Sequence, residues 1–177
     1  MPNAQSRTAG RTSTARARSR KEHDPFELLK ADHKKVAKMF KDFEKMKEKD
    51  RDGAAELVGR ILAELSVHAQ IEEEIFYPTM REYGGAKLAH LLDEAEVEHA
   101  TAKDLIEQLS SMSPDEELYD ARVKVLGEYV KHHVKEEEDE LFPKAKKADV
   151  DMDELARMLV ERKQELMQEA EGAVAVS

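Results

Sequence analysis

The sequence predicts an all-α protein: an antiparallel up-and-down four-helix bundle with an additional C-terminal helix and a disordered basic N-terminal tail. Three observations carry this. Apolar residues recur at three- and four-residue spacing along four long segments, and the connections between them are short. Charged residues make up 38% of the chain, against seven glycines and five prolines, a balance that suits helices. Long amphipathic helices joined by short links fold most simply with neighbours antiparallel.

Residues 1–22 are rich in Ser, Thr, Ala and Arg and lack hydrophobic periodicity, so ordering them would bury too little apolar surface to offset its entropy. They read as a disordered tail, best taken as a solubilising extension, with an arm for a polyanion or an organelle transit peptide as the functional alternatives. The bundle is expected over residues 23–147. Its first helix starts at Asp24-Pro25-Phe26-Glu27, with a capping Asp, Pro at the first helical position and Glu placed to close a capping box. It should run to about Lys49 on the stripe Phe26, Leu29, Val36, Phe40 and Phe43. After the polar turn Lys49–Gly53, a second helix carries Leu57, Ile61, Leu65, Ile75 and Phe76, with a bend or stop near Pro78 and Gly84-Gly85. A third carries Leu88, Leu92, Ala95, Ala102, Ile106 and Leu109. Ser113-Pro114-Asp115-Glu116 repeats the start signal, and the fourth runs through Leu126, Val130 and Leu141 to the region of Pro143. Residues 148–177 form the remaining unit. Met152, Leu155, Leu159 and Leu166 make one apolar side of a helix from Asp151 to about Ala170, able to pack on the bundle or to support self-association, followed by a frayed end from Gly172.

Composition also excludes chemistry. Without cysteine there are no disulfides, thiolate metal sites or Cys nucleophiles, so any metal must be held by nitrogen and oxygen. No apolar run approaches the length that crosses a bilayer, and a soluble, cytoplasmic protein is expected. The net charge of −10 conceals six cations and no acid within residues 1–21, leaving −16 on the remainder. That body is a poor nucleic-acid binder, and the tail is the one segment suited to a polyanion.

Each bundle helix places one histidine inside its apolar stripe. His33 lies between Leu29 and Val36; His68 follows Leu65, His99 follows Ala95 and His133 follows Val130 at helical spacing. His68 and His133 are each followed four residues later by a glutamate, Glu72 and Glu137. That spacing stacks imidazole and carboxylate on one face. The pattern is an internal repeat: Asp32-His33 leads to His68 as Glu98-His99 leads to His133, and the stretch from His68 to Pro78 aligns without a gap to that from His133 to Pro143. The register selects His133 over its neighbour His132, which reads as a surface residue or as a support just behind the ligands, while His23 and His90 read as surface residues.

Four imidazoles and two carboxylates in a bundle suit iron, manganese, cobalt or zinc better than calcium or magnesium, which prefer all-oxygen shells. Six donors are too many for one tetrahedral zinc. Two ions about 3.5–4 Å apart, each with two histidines and both bridged by Glu72 and Glu137, would use every donor. Iron or manganese is then the natural choice, and zinc a further candidate. Burying two carboxylates with no cation would cost several kcal/mol each. Glu73 and Glu138 stand as candidate supplementary ligands, and Tyr129, one turn before His133, as a candidate neighbour.

The residues Asp32-His33, His68 with Glu72, Glu98-His99, and His133 with Glu137 through Leu141-Phe142-Pro143 resemble the hemerythrin HHE cation-binding domain over about residues 24–147. The resemblance implies an up-and-down four-helix fold around two non-haem iron ions with a bridging oxo or hydroxo group, His33 and His68 serving one iron and His99 and His133 the other. Oxygen-carrying hemerythrins add a third histidine to one iron, four residues after the third helix's ligand; here that position is Lys103. The departure points away from simple O2 carriage. The resemblance implies a protein that binds or reacts with O2, peroxide or nitric oxide as a sensor, a scavenger or a weak peroxidase served by an unidentified electron donor. The alternative is an iron-storage or metal-sensing module whose loading stabilises the fold for a partner.

Overall fold

The computed structural model describes residues 24–174, which form helices and short connections, with no strand among the described residues. The expected basic tail at 1–22, His23, and residues 175–177 of the expected frayed end lie outside the described residues.

The first helix, α1 (Pro25–Met46), begins where the sequence signal places it: the Asp24 carboxylate accepts hydrogen bonds from the backbone N–H groups of Phe26 at 2.9 Å and Glu27 at 3.4 Å. It ends earlier than Lys49 because the N–H groups of Lys49 and Asp50 both turn back to the Met46 carbonyl. Asp50 then caps α2 (Arg51–Ile71) by accepting from Gly53 N–H at 3.0 Å. This second bundle helix continues through a π turn, π1 (Glu72–Phe76), into α3 (Tyr77–Tyr83). Gly85, at φ 73°, makes the reversal into α4 (Ala86–Ser111). The fourth bundle helix is α5 (Tyr119–Glu136), π2 (Glu137–Leu141) and α6 (Phe142–Ala145), and α7 (Met152–Val174) is the additional C-terminal helix.

Two sequence expectations need correction here. The second helix stops before Gly84-Gly85, as expected, but Pro78 does not end it. Tyr77 N–H bonds the Glu72 carbonyl and Phe142 N–H the Glu137 carbonyl, five residues back in each case. A proline lacks an N–H and crowds the carbonyl four residues before it, and widening the turn ahead of it lets the helix pass. The fourth helix, in turn, starts not at Ser113–Glu116 but at Tyr119. The capping-box contact does form, with Ser113 N–H donating to Glu116 Oε1 at 2.7 Å, yet residues 113–118 stay as turns. Arg51 holds them there, donating to the Pro114 carbonyl and to Asp120 Oδ1 at 2.6 Å.

The interior is divided in two. One apolar cluster contains Phe26, Leu29, Ile71, Phe76, Leu92, Leu141 and Phe142, and the other Val36, Phe43, Ile61, Leu65, Val123 and Leu126. The helix α7 buries Leu155, Leu159 and Leu166 in the first cluster, against α1, α2 and π1. Each bundle helix passes from one cluster to the other, and the boundary between them is where its histidine lies.

Candidate metal centre

At that boundary the sequence places His33 on α1, His68 on α2, His99 on α4 and His133 on α5, with Glu72 and Glu137 opening the two π turns. All six side chains are buried. His33 Nε2 lies 3.1 Å from His68 Nε2, and His99 Nε2 lies 3.1 Å from His133 Nε2. Glu72 Oε2 stands 3.3 Å from His68 Nε2 and 3.4 Å from His99 Nε2. Glu137 Oε2 stands 3.3 Å from His33 Nε2 and 3.5 Å from His133 Nε2. Each glutamate therefore spans both histidine pairs.

The outward nitrogen of three imidazoles is hydrogen-bonded to a carboxylate, and that of the fourth, His68, lies near one. Glu138 Oε1 accepts from His33 Nδ1 at 2.9 Å, Glu73 Oε1 from His99 Nδ1 at 3.0 Å and Glu98 Oε2 from His133 Nδ1 at 2.8 Å; Asp32 Oδ2 lies 3.5 Å from His68 Nδ1. A carboxylate at Nδ1 keeps the proton there and leaves the Nε2 lone pair facing inward. Glu73 and Glu138, candidates for supplementary ligands, thus hold the rings rather than face the centre. Lys103 and Lys163 extend two of these supports, Lys103 pairing with Glu73 and Lys163 of α7 with Asp32.

These residues fit a cation. Two lone pairs facing at 3.1 Å repel unless something positive lies between them, and donors about 2.1 Å from one metal ion stand about 3–3.5 Å apart, the range observed. The buried oxygens Oε1 and Oε2 of Glu72 and Oε2 of Glu137 lack hydrogen-bond partners. Burial, with the charge of Glu137 beside it, pushes the Glu72 carboxyl well above the usual range. Burial also raises Glu137, but the His133 and His33 imidazoles outweigh it and hold that group low. Burial depresses His68 to about 4, which keeps its imidazole neutral and able to donate a lone pair. His33, His68, Glu72 and Glu137 form one group that could hold an ion, and Glu72, His99 and His133 another.

The description "Hemerythrin HHE cation binding domain" matches residues 24–145. The chain belongs to this family. An HHE-domain protein from Mycobacterium kansasii, known from a crystal structure, shares the fold: TM-score 0.69, 21% identity, covering 86% of this chain and 90% of that one. A DNA nickase of Nostoc sp. strain PCC 7120 is 33% identical over 117 residues, 66% of this chain and 32% of that protein. The chain therefore spans about a third of the length of that curated relative.

Two further features adjoin the centre. The Tyr77 hydroxyl donates to Glu137 Oε1 at 3.0 Å and lies 3.3 Å from His99 Nε2, its ring tilted against the His99 imidazole with centroids 5.4 Å apart. The sequence offers Tyr129 as a candidate neighbour but reads it first as an ordinary core tyrosine, and Tyr129 is half-buried on α5 with no hydrogen bond to the site. The signal that identifies Tyr77 is the repeat, in which it stands opposite Phe142. Phe142 stacks on His33 as Tyr77 lies on His99, so one repeat brings a hydroxyl where the other has none. The second feature is a cavity of about 40 Å³ lined by all four imidazoles together with Leu65, Ala102 and Ile106. His90 and His132 are exposed, as expected. No helix among the described residues is long and apolar enough to cross a membrane.

Proposed function

We propose that this HHE domain holds two non-haem iron ions and binds or reacts with O2, peroxide or nitric oxide. His33 and His68 would hold one ion and His99 and His133 the other, with Glu72 and Glu137 shared between them. The observation that carries the reading is the pairing of Nε2 lone pairs at 3.1 Å across two carboxylates with unpartnered oxygens. When bound, the ions supply redox chemistry and Lewis acidity.

The chain's own residues set the terms of that chemistry. The supporting carboxylates fix which imidazole nitrogen is free. The cavity of about 40 Å³ beside the four imidazoles has room for a small ligand. The Tyr77 hydroxyl holds a proton beside Glu137 and His99, and burial pushes its pKa well above the ordinary value, so the hydroxyl stays protonated. Lys103 is engaged by Glu73, which supports a reading as sensor, scavenger or weak peroxidase rather than O2 carrier. The strand-nicking activity of the Nostoc relative is not part of this proposal, because the body beyond residue 21 carries −16.

A second reading is metal storage or sensing without catalysis, favoured by the link from α7 through Lys163 to Asp32 and so to His68. Ion binding would then tighten α7 against the bundle. One experiment separates the two: metal analysis of protein purified without chelators, with absorption spectra before and after peroxide. Two irons per chain whose spectrum changes rapidly with peroxide support the first reading. Two ions with slow redox chemistry and a large metal-dependent stabilisation support the second. One zinc or no metal in a fully folded protein sinks both.

A further inference from the structure

Outside the buried centre, Glu98 of α4 and His132 and Glu136 of α5 bring three donor atoms together on an open face of the bundle. His132 Nε2 lies 3.4 Å from Glu98 Oε1 and 3.2 Å from Glu136 Oε1, the separations found among the buried donors. Among the described residues, no lysine or arginine forms an ion pair with Glu98 or Glu136. The residues line a surface groove with His90 and Glu94, where His90 Nε2 is 3.6 Å from Glu94 Oε1.

The internal repeat shows that this arrangement is particular to one side of the molecule. In the register that aligns His68 with His133, His132 corresponds to Val67 and Glu136 to Ile71, both buried in the apolar cluster that α7 closes. Glu98 corresponds to Asp32, whose outer oxygen is taken by Lys163 of α7. The first hairpin's face is thus covered and neutralised by α7. On the second hairpin His132 is exposed, Glu136 and Glu98 are partly so, and the three carry metal-binding groups.

We propose that Glu98, His132 and Glu136 form a third, solvent-accessible site for a divalent transition-metal cation. One imidazole and two carboxylates suit zinc, cobalt, nickel or ferrous iron, and three protein donors leave positions open for water and for exchange. The Glu98 carboxylate joins this site to the buried one: Oε2 accepts from His133 Nδ1 while Oε1 faces His132. A cation at the surface therefore stands one carboxylate away from the buried imidazole.

The test is equilibrium dialysis of the full chain, holding the metal with which it is purified, against Zn(II), with iron and zinc counted separately. Wild type should take up one zinc beyond any iron displaced. His132→Ala and Glu136→Gln should each weaken that binding at least tenfold and leave the tightly held complement unchanged. His90→Ala should bind like wild type. Absence of a further zinc, undiminished binding in His132→Ala, or equal weakening in His90→Ala would overturn the proposal, the last by showing diffuse attraction of cations to an acidic groove. Because the exposed site is read from the difference between wild type and His132→Ala, the result stands whether the buried centre holds two ions, one or none.

Discussion

His68 and His133 each face a partner imidazole and a glutamate at one point, so no neighbouring side chain can replace the donor lost on truncation. His68→Ala and His133→Ala should abolish loading of the two tightly held ions, measured as metal per chain, whereas His90→Ala and His132→Ala should retain both. Full loading in either of the first pair would refute the ligand assignment. Glu73 and Glu138 reach only the far nitrogens of His99 and His33. Glu73→Gln and Glu138→Gln should accordingly lower metal affinity roughly 10–100-fold without removing either ion, measured by competition with a chelator. The six inward residues were legible because a histidine inside an apolar stripe must turn its ring into the core, and four such rings in matched register converge on one layer. The role of Glu73 and Glu138 was not, since spacing places a carboxylate near an imidazole without saying which nitrogen it meets. Tyr77 was hidden for a related reason: its ring is an ordinary core aromatic, and only packing shows where the hydroxyl lands.

Among the elements, the helix count and the stripe of each helix followed from periodicity and caps, but the two π turns did not. They arise from the conflict between a proline and the carbonyl four residues before it, resolved over a preceding turn whose conformation no local propensity encodes. The late start of α5 has a distant cause as well, Arg51 on another helix holding Pro114 and Asp120. Such tertiary contacts override a capping signal that is locally sound. Where the environment is empty, local propensity should decide. Gly59 lies mid-helix in α2, and an added Cβ there would meet nothing within 4 Å. Gly59→Ala should therefore stabilise the protein by about 0.5–1 kcal/mol, seen as a rise in Tm of roughly 1–4 °C; a fall would mean that the bare backbone at this position is itself needed.

At the scale of the whole molecule, two apolar cores meet at a polar layer, and α7 closes one of them. Leu159, fully buried, is the centre of that closure. Leu159→Ala should cost about 2–5 kcal/mol, measured by chemical denaturation. Binding confined to the folded state adds about 2.7 kcal/mol per site at a hundredfold excess over Kd, so stripping both ions from wild type should lower Tm by roughly 10–20 °C. The same chelation applied to His68→Ala should shift it little. The crossed arrangement of supports also bears on the chain's architecture: Glu138 of the second hairpin holds His33 of the first, Glu73 of the first holds His99 of the second, and Glu72 and Glu137 each reach across. Neither hairpin owns a complete binding position. A polypeptide of half this length, carrying a single hairpin, could assemble the centre only by pairing two-fold with another copy of itself. In the single chain the two halves are joined and need not be identical: one presents Tyr77 to the site where the other presents Phe142.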